Sequence, residues 1–588
     1  MAIGSRSGTG HEMVSAAGCL SLGEVVAYRP ELPPQLTVEA PPCRQVEVQE
    51  LCRLAGWAMM GEVKLEAQEC LHVTDIAPRG RFRGRSGARR GKGASSAKCA
   101  LQGPEEGFAV LYGVSNDDAV SLRGQGPWQI SGGIHFHRLR FEVTALEVEN
   151  ARLAFFNASA RKDGGAISAG RGGLKLQNSS VQVVSSNATR GGAIAVSFRG
   201  VLRCEGSTIV TERSYARMDG GSIFAKNVRL ENSSVEISYA WARNGGGILA
   251  DMLVARSSSL SISNGFAYGH GGATYSHKRL VLIDSRFHGQ SLDASQTLAS
   301  KGGGIYAFHL ELRNSSVEID DAASGFDGSC IHAVRSMTVR GSAVHLSGCR
   351  AKSQAALHVG GDLQMVNRMT EGVNTLDLVF LNSSSMKMTQ IRSQVPPVAL
   401  EVSIFKMTGS ALSLLGTGGH QGFSAIELSP NAGENRSFDM SQDSSLVITD
   451  FFSGILSDGG LVRLRNAQLQ RLRYAVEMPR AEGLDVADSV LEDVSELAFS
   501  CGTCQHLALR RIVARRVGAL LRAAELKKWS LQDVQARCSQ RSQVACVQLA
   551  SALVFLDPEP WRLENISLEA ENVSSDVAPV LLDVEGPK

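Results

Sequence analysis

One short phrase recurs along most of this chain: two alternating apolar residues, a turn residue, then another apolar residue. Its clearest copies are Leu174-Lys175-Leu176-Gln177-Asn178-Ser179-Ser180-Val181, Val228-Arg229-Leu230-Glu231-Asn232-Ser233-Ser234-Val235 and Leu310-Glu311-Leu312-Arg313-Asn314-Ser315-Ser316-Val317. Anchored on the turn residue, copies fall at Asn150, Asn178, Gly206, Asn232, Ser257, Asp284, Asn314, Gly341, Asn382, Gly409, Asp443, Asn466, Asp488, Arg511, Asp533 and Asn565. Up to Gly341 the steps are 28, 28, 26, 25, 27, 30 and 27 residues. A fixed period in that range marks a solenoid or an array.

The content of each repeat selects the kind of solenoid. Apolar residues such as Leu174, Leu176, Val235 and Ile237 alternate with polar ones, the period of a strand with one buried face. No i, i+3, i+4 stripe persists long enough for a helix, and the leucine-asparagine consensus of leucine-rich repeats is missing. A second phrase falls between anchors: Gly164-Gly165-Ala166-Ile167, Gly191-Gly192-Ala193-Ile194, Gly220-Gly221-Ser222-Ile223, Gly245-Gly246-Gly247-Ile248, Gly271-Gly272-Ala273-Thr274, Gly302-Gly303-Gly304-Ile305 and Gly328-Ser329-Cys330-Ile331. Paired glycines permit positive φ or close backbone approach, and a strand follows at once. Two strands and two sharp turns per repeat predict an all-β fold: a right-handed parallel β-helix of about sixteen or more coils. The low aromatic fraction (6%) and 61 glycines suit a narrow tube filled with Val, Ile, Leu and Ala.

Three regions follow. Residues 1–104 lack the repeat and read as an irregular N-terminal segment with a basic, Gly/Arg-rich linker at 79–98. Residues 105–360 read as the regular β-helix. Residues 361–588 continue it, first with inserted loops such as Gly416–Gly422, then with shorter coils of 22–23 residues without double glycines. The stretch Leu507–Leu526 is rich in Ala, Arg and Leu, but it matches the phrase and is read as strand.

The net charge of +2 supplies no field that steers the whole chain to nucleic acid or membrane, and no apolar run is long enough for a transmembrane helix. The Arg79–Arg85 segment has one aromatic residue and no repeated unit, so a solvated linker is preferred to an RNA-binding arm. Nine Asn-x-Ser/Thr sequons stand at Asn157, Asn178, Asn187, Asn232, Asn314, Asn382, Asn435, Asn565 and Asn572. They suit a glycoprotein; equally, the turn phrase Asn-Ser-Ser generates sequons by itself. An extracellular or cell-surface location is expected, although Met1–Arg29 shows no signal peptide and the chain is open to being a fragment. Cys501-Gly502-Thr503-Cys504 reads as a disulfide at a turn rather than half of a zinc site with Cys538 and Cys546. No metal and no cofactor is expected.

Stacking turns any coil position into a column. The residues before each double glycine are Asp163, Arg190, Asp219, Asn244, His270, Lys301 and Asp327, a candidate polar groove for a glycan. An exposed ladder of alternating sign that merely avoids repulsion accounts for the same pattern. Gly269-His270-Gly271 and Asn116-Asp117-Asp118 look like polygalacturonase motifs, but some 150 residues separate them and the third aspartate motif is missing. Asp320-Asp321 with Asp327 is the one hint of a calcium-dependent lyase.

The segments Asn157-Ala158-Ser159-Ala160-Arg161-Lys162-Asp163-Gly164-Gly165-Ala166-Ile167 and Asn187-Ala188-Thr189-Arg190-Gly191-Gly192-Ala193-Ile194 carry a family resemblance. Over about residues 150–335 the chain resembles the repeats of chlamydial polymorphic outer-membrane proteins, with their Gly-Gly-Ala-Ile and Phe-x-x-Asn motifs. It also looks like the wider pectate-lyase-like β-helix superfamily. The first resemblance implies a surface-exposed adhesin, yet Asp576–Lys588 offers none of that family's C-terminal barrel strands. The expected function is therefore a non-enzymatic surface scaffold that contacts glycans or cell-surface proteins. The alternative is a carbohydrate-active lyase or hydrolase of the same fold.

Overall fold

Buried and exposed side chains alternate along almost every strand, and that alternation builds the tube. The structure is a computed structural model. It describes residues 44–47, 61–64, 70–74, 99–114, 119–296, 300–326, 328–351, 355–359, 377–381, 385–389, 392–393, 398–402, 404–416, 424–428, 437–440, 443–539, 545–549, 562–571 and 582–584. All lie in one unit, residues 43–588. Among them there are strands and turns and no helix, and the strands join in parallel ladders. The fold is a right-handed parallel β-helix.

One coil shows the pattern. Its first strand, Ile223–Glu231, runs from the double glycine to the anchor Asn232; its second, Ser234–Ala242, runs on towards the next double glycine. Each residue pairs with its counterpart one coil on, as Ile223 with Ile248 and Val235 with Leu260. Followed from coil to coil, Ile194, Ile223, Ile248, Thr274, Ile305, Ile331, Leu357, Leu400, Ile426, Ile455 and Val476 form one internal column. Each is almost fully buried. Burial of one such side chain stabilises by roughly 1.5–3 kcal/mol, and only the neighbouring coils supply the cover.

Corners set the geometry. Fourteen of the sixteen anchors, from Asn150 to Asn565, have φ between 47° and 56°. Asn, Asp and Gly tolerate that left-handed conformation best. Asn382 lies outside the described residues. The double glycine divides two tasks. The first glycine takes positive φ, as at Gly220 (66°), and the second lets coils close up, since a Cβ on Gly221 would fall 1.9 Å from the Gly246 carbonyl oxygen.

A further corner was not foreseen. Asn157, Ser185, Arg213, Tyr239, Asn264, Ser291 and Asp321 also have positive φ, each seven residues after an anchor. In the short coils Arg471, Asp493 and Arg516 take the same place five residues after theirs, so two residues of the shortening come from this side. Arg and Tyr seldom occupy that region, which hid the corner from a composition-based search.

Inside the anchor corner runs a serine ladder. The Ser207 backbone N–H donates to Ser233 Oγ (3.2 Å), and the Ser233 N–H donates to Ser258 Oγ (3.1 Å). Ser233 Oγ in turn donates to the Glu231 carbonyl at 2.7 Å. The same pattern joins Ser179, Ser285, Ser315 and Ser342. These bonds satisfy backbone groups that the corner removes from the strand ladders.

Parallel pairing extends ahead of residue 105, into the stretch read as irregular: Arg44–Glu47 pairs with Cys70–Thr74, and Gly61–Lys64 with Cys99–Gln102. Those segments are too short and too widely spaced to carry a recognisable phrase. The basic run 79–98 lies outside the described residues, as do 417–422 of the expected loop. The Leu507–Leu526 stretch is strand, within Ala467–Ser539.

Candidate functional site

Outward side chains at the start of the first strands form one continuous column. In register they are Glu142, Ser168, Ala195, Phe224, Leu249, Tyr275, Tyr306, His332, His358, Glu401 and Glu427. From Ala195 to Tyr306 these residues pack as an apolar cluster separate from the main core. The rings of Tyr275 and Tyr306 stack at 4.7 Å, Tyr306 and His332 at 5.2 Å, and His332 and His358 at 4.6 Å. The stack ends on a hydrogen bond, His358 Nδ1 lying 3.0 Å from Glu401 Oε2. One coil further, burial and then the Glu401 charge push the Glu427 carboxyl above its ordinary value.

Beside this column stands the polar ladder. The Arg190 guanidinium donates to both oxygens of Asp163, at 2.9 and 2.6 Å, and pairs in register with Asp219. The Asn244 side-chain amide donates to Asp219 (3.0 Å), the His270 backbone N–H donates to the Asn244 side chain (3.2 Å), and the Lys301 backbone N–H donates to His270 Nδ1 (3.0 Å). Asp163, Arg190, Asp219, Asn244, His270 and Lys301 therefore stand in one hydrogen-bonded ladder; Asp327 lies outside the described residues. Hydrogen bonding to Asp163 holds the Arg190 guanidinium above its ordinary value against burial, with the Asp163 and Asp219 charges adding to it. Arg190 also lies over the Phe224 ring at 4.8 Å and the Phe198 ring at 5.4 Å. Here a cleft of about 330 Å³ opens, lined by Glu142, Asp163, Ser168, Arg190, Phe198 and Phe224 among others.

The far side of the ladder carries an aromatic row that the repeat phrase did not reveal. Tyr215, Trp241 and Phe266 share a register position; Tyr215 stacks on Trp241 at 4.3 Å, and Trp241 on Phe266 at 6.0 Å. Tyr268 stands perpendicular to both Trp241 and Phe266. Tyr215 is 38% exposed, Tyr268 41% and Tyr239, at the nearby corner, 61%. Their column continues as Asn187 on one side and as Asp293 and Ala323 on the other, so no repeated residue type marks the position and only the coil register brings the rings together.

Other candidates fall elsewhere. His270, in the Gly269-His270-Gly271 motif, stacks at 4.9 Å on Tyr306 and accepts the Lys301 backbone, a packing role. Asn116, Asp117 and Asp118 lie outside the described residues. Asp321 is paired with Arg350. Asn157, Asn178, Asn187, Asn232, Asn314 and Asn565 are exposed, while Asn382, Asn435 and Asn572 are outside the described residues. In the Asn-Ser-Ser copies the serine directly after the asparagine belongs to the buried ladder, whereas the serine that completes the sequon, Ser180, Ser234 or Ser316, opens the next strand. Cys501 bonds Cys504, Cys538 bonds Cys546 and Cys330 bonds Cys349, which removes the thiolates a zinc site would need. No helix among the described residues is long and apolar enough to cross a membrane.

Comparison with known proteins adds little. No family model matches the chain. No curated protein matches it either. A solved structure of a mutant of the PL6 family alginate lyase AlyGC is similar at 9% identity with a TM-score of 0.17, over 92% of this chain and 99% of that one. A likeness at that TM-score carries no argument about mechanism.

Proposed function

We propose that this protein is a non-enzymatic extracellular scaffold that contacts glycans through the face where the polar ladder adjoins the aromatic row. The observation that carries this reading is the half-exposed row Tyr215–Trp241–Phe266, three or four residues before Asp219, Asn244 and His270 in each coil. Ring edges and phenol hydroxyls give apolar contact and hydrogen bonds, and the ladder adds amide and carboxylate groups at a repeat of about 4.8 Å. Beside that row the ladder carries one carboxylate, Asp219, one amide, Asn244, and one imidazole, His270, while Arg190 is taken up by Asp163, so the face favours polar, uncharged sugars over strongly anionic ones. Three disulfides fit an oxidising compartment, and six exposed sequon asparagines fit a surface exposed to glycosylation.

The test is a glycan array followed by calorimetry with the full chain. Wild type is expected to bind at least one neutral oligosaccharide, and Tyr239→Ala or Trp241→Ala to weaken binding by about tenfold, near 1.4 kcal/mol. An Arg537→Ala control on a distant coil leaves binding unchanged. Binding that both aromatic variants retain in full would overturn the reading.

A carbohydrate-active enzyme is the second reading, favoured by one observation: Glu401 and Glu427 occupy adjacent coils in register, beside His358, with Glu427 raised. Two carboxyl groups whose environments separate their proton affinities are what acid–base chemistry on a glycosidic bond requires. A reducing-end and unsaturated-product assay on a polyuronate panel, with Glu401→Gln as control, decides between the two.

A further inference from the structure

We infer that His288, Glu318 and Asp320 form a binding site for one divalent cation of the zinc class, bridging two adjacent coils. His288, on the strand Arg286–Ala294, pairs in register with Glu318 on Ser316–Ser324, and its Nδ1 lies 3.5 Å from Glu318 Oε2. Asp320 projects from the same strand two residues on, and one donor atom from each of the three lies within 4.8 Å of the others. An ion with bonds of about 2.0–2.2 Å holds its donors about 3.4 Å apart, so rotamer adjustments of these partly exposed side chains close the set.

Charge points the same way. Elsewhere on the molecule several carboxylates are taken up by arginine: Asp163 by Arg190, Glu311 by Arg279 and Arg313, Asp321 by Arg350, and Asp485 by Arg465 and Arg510. Among the described residues no arginine or lysine pairs with Glu318 or Asp320; histidine is the one ionisable partner of Glu318. In register, Asp320 has the neutral neighbours Gln290 and Ser347, and Glu318 is followed by His345 one coil on. Two carboxylates facing imidazoles leave a local charge that a dication neutralises. A nitrogen donor in the set selects a borderline first-row ion over calcium or magnesium, which prefer all-oxygen cages.

The test is calorimetry of untagged full-length protein, stripped with EDTA and titrated with Zn²⁺, Mn²⁺ and Ca²⁺. One Zn²⁺ per chain is expected, tighter than Mn²⁺ and much tighter than Ca²⁺, with a rise in Tm that EDTA reverses. His288→Ala and Glu318→Gln should each weaken Zn²⁺ by at least about tenfold, the usual consequence of losing a ligand. Their metal-free melts should match wild type, because both side chains are on the surface. Replacement by Co²⁺ should give a visible absorption band that His288→Ala removes. No Zn²⁺ uptake, uptake indifferent to both variants, or a preference for Ca²⁺ would each overturn the assignment.

Discussion

A Cβ on Gly221 would stand 1.9 Å from the carbonyl oxygen of Gly246, one coil away. The contact is backbone to backbone, so nothing flexible yields to it. Gly206 differs: its φ is 56°, but an added Cβ there meets only the Asn178 side chain. Gly206→Ala is expected to cost about 1–2 kcal/mol, the price of a left-handed alanine. Gly221→Ala should cost more, because the coils must separate. Urea denaturation midpoints of the two variants measure the difference; equal midpoints would refute this account of the double glycine.

Ser233→Ala leaves the Ser207 N–H without its acceptor inside the corner. An unmet buried donor costs about 1–3 kcal/mol. Amide hydrogen exchange should show faster exchange at Ser207, while the distant coils around Arg511 keep wild-type protection.

Asp485 stands between two arginines, accepting from Arg465 at 2.6 Å and from Arg510 at 3.0 Å. Burial opposes its charge, but the arginine hydrogen bonds and charges outweigh burial and hold the carboxyl below its ordinary value of 3.8. Its contribution is therefore present above that value and lost as pH falls through the lower folded value. Asp485→Asn should lower Tm at neutral pH and lessen the further loss as pH falls below the ordinary value of 3.8. An undiminished acid loss in the variant would count against this pairing.

Glu427 has the opposite sign. Burial, then Glu401, raises its carboxyl above 4.5. Stability from this group is greatest below the unfolded value and falls as pH rises through the folded one. Glu427→Gln is expected to raise Tm at about pH 7 and to change it little near pH 4. A lower Tm at both values would mean that the charged carboxylate is favoured by the fold.

The repeat was readable because the same physical demand recurs in each coil. Asn178, Asn232 and Asn314 stand where left-handed φ is needed, and Gly164, Gly191 and Gly220 where a side chain cannot fit. The corner at Arg213 and Tyr239 escaped notice because those residues carry no conformational signature. The polar ladder could be written down because it directly precedes an obvious motif. His358, Glu401 and Glu427 could not, since coils of unequal length intervene and spacing alone does not align them.

The amino-acid order by itself determined the winding: where the backbone turns, which side chains face inward, and that each coil needs its neighbours to bury them. Only the tertiary structure decided which outward side chains meet, because contacts between coils depend on register. An inserted loop changes the distance along the chain without changing the step from one coil to the next, about 4.8 Å.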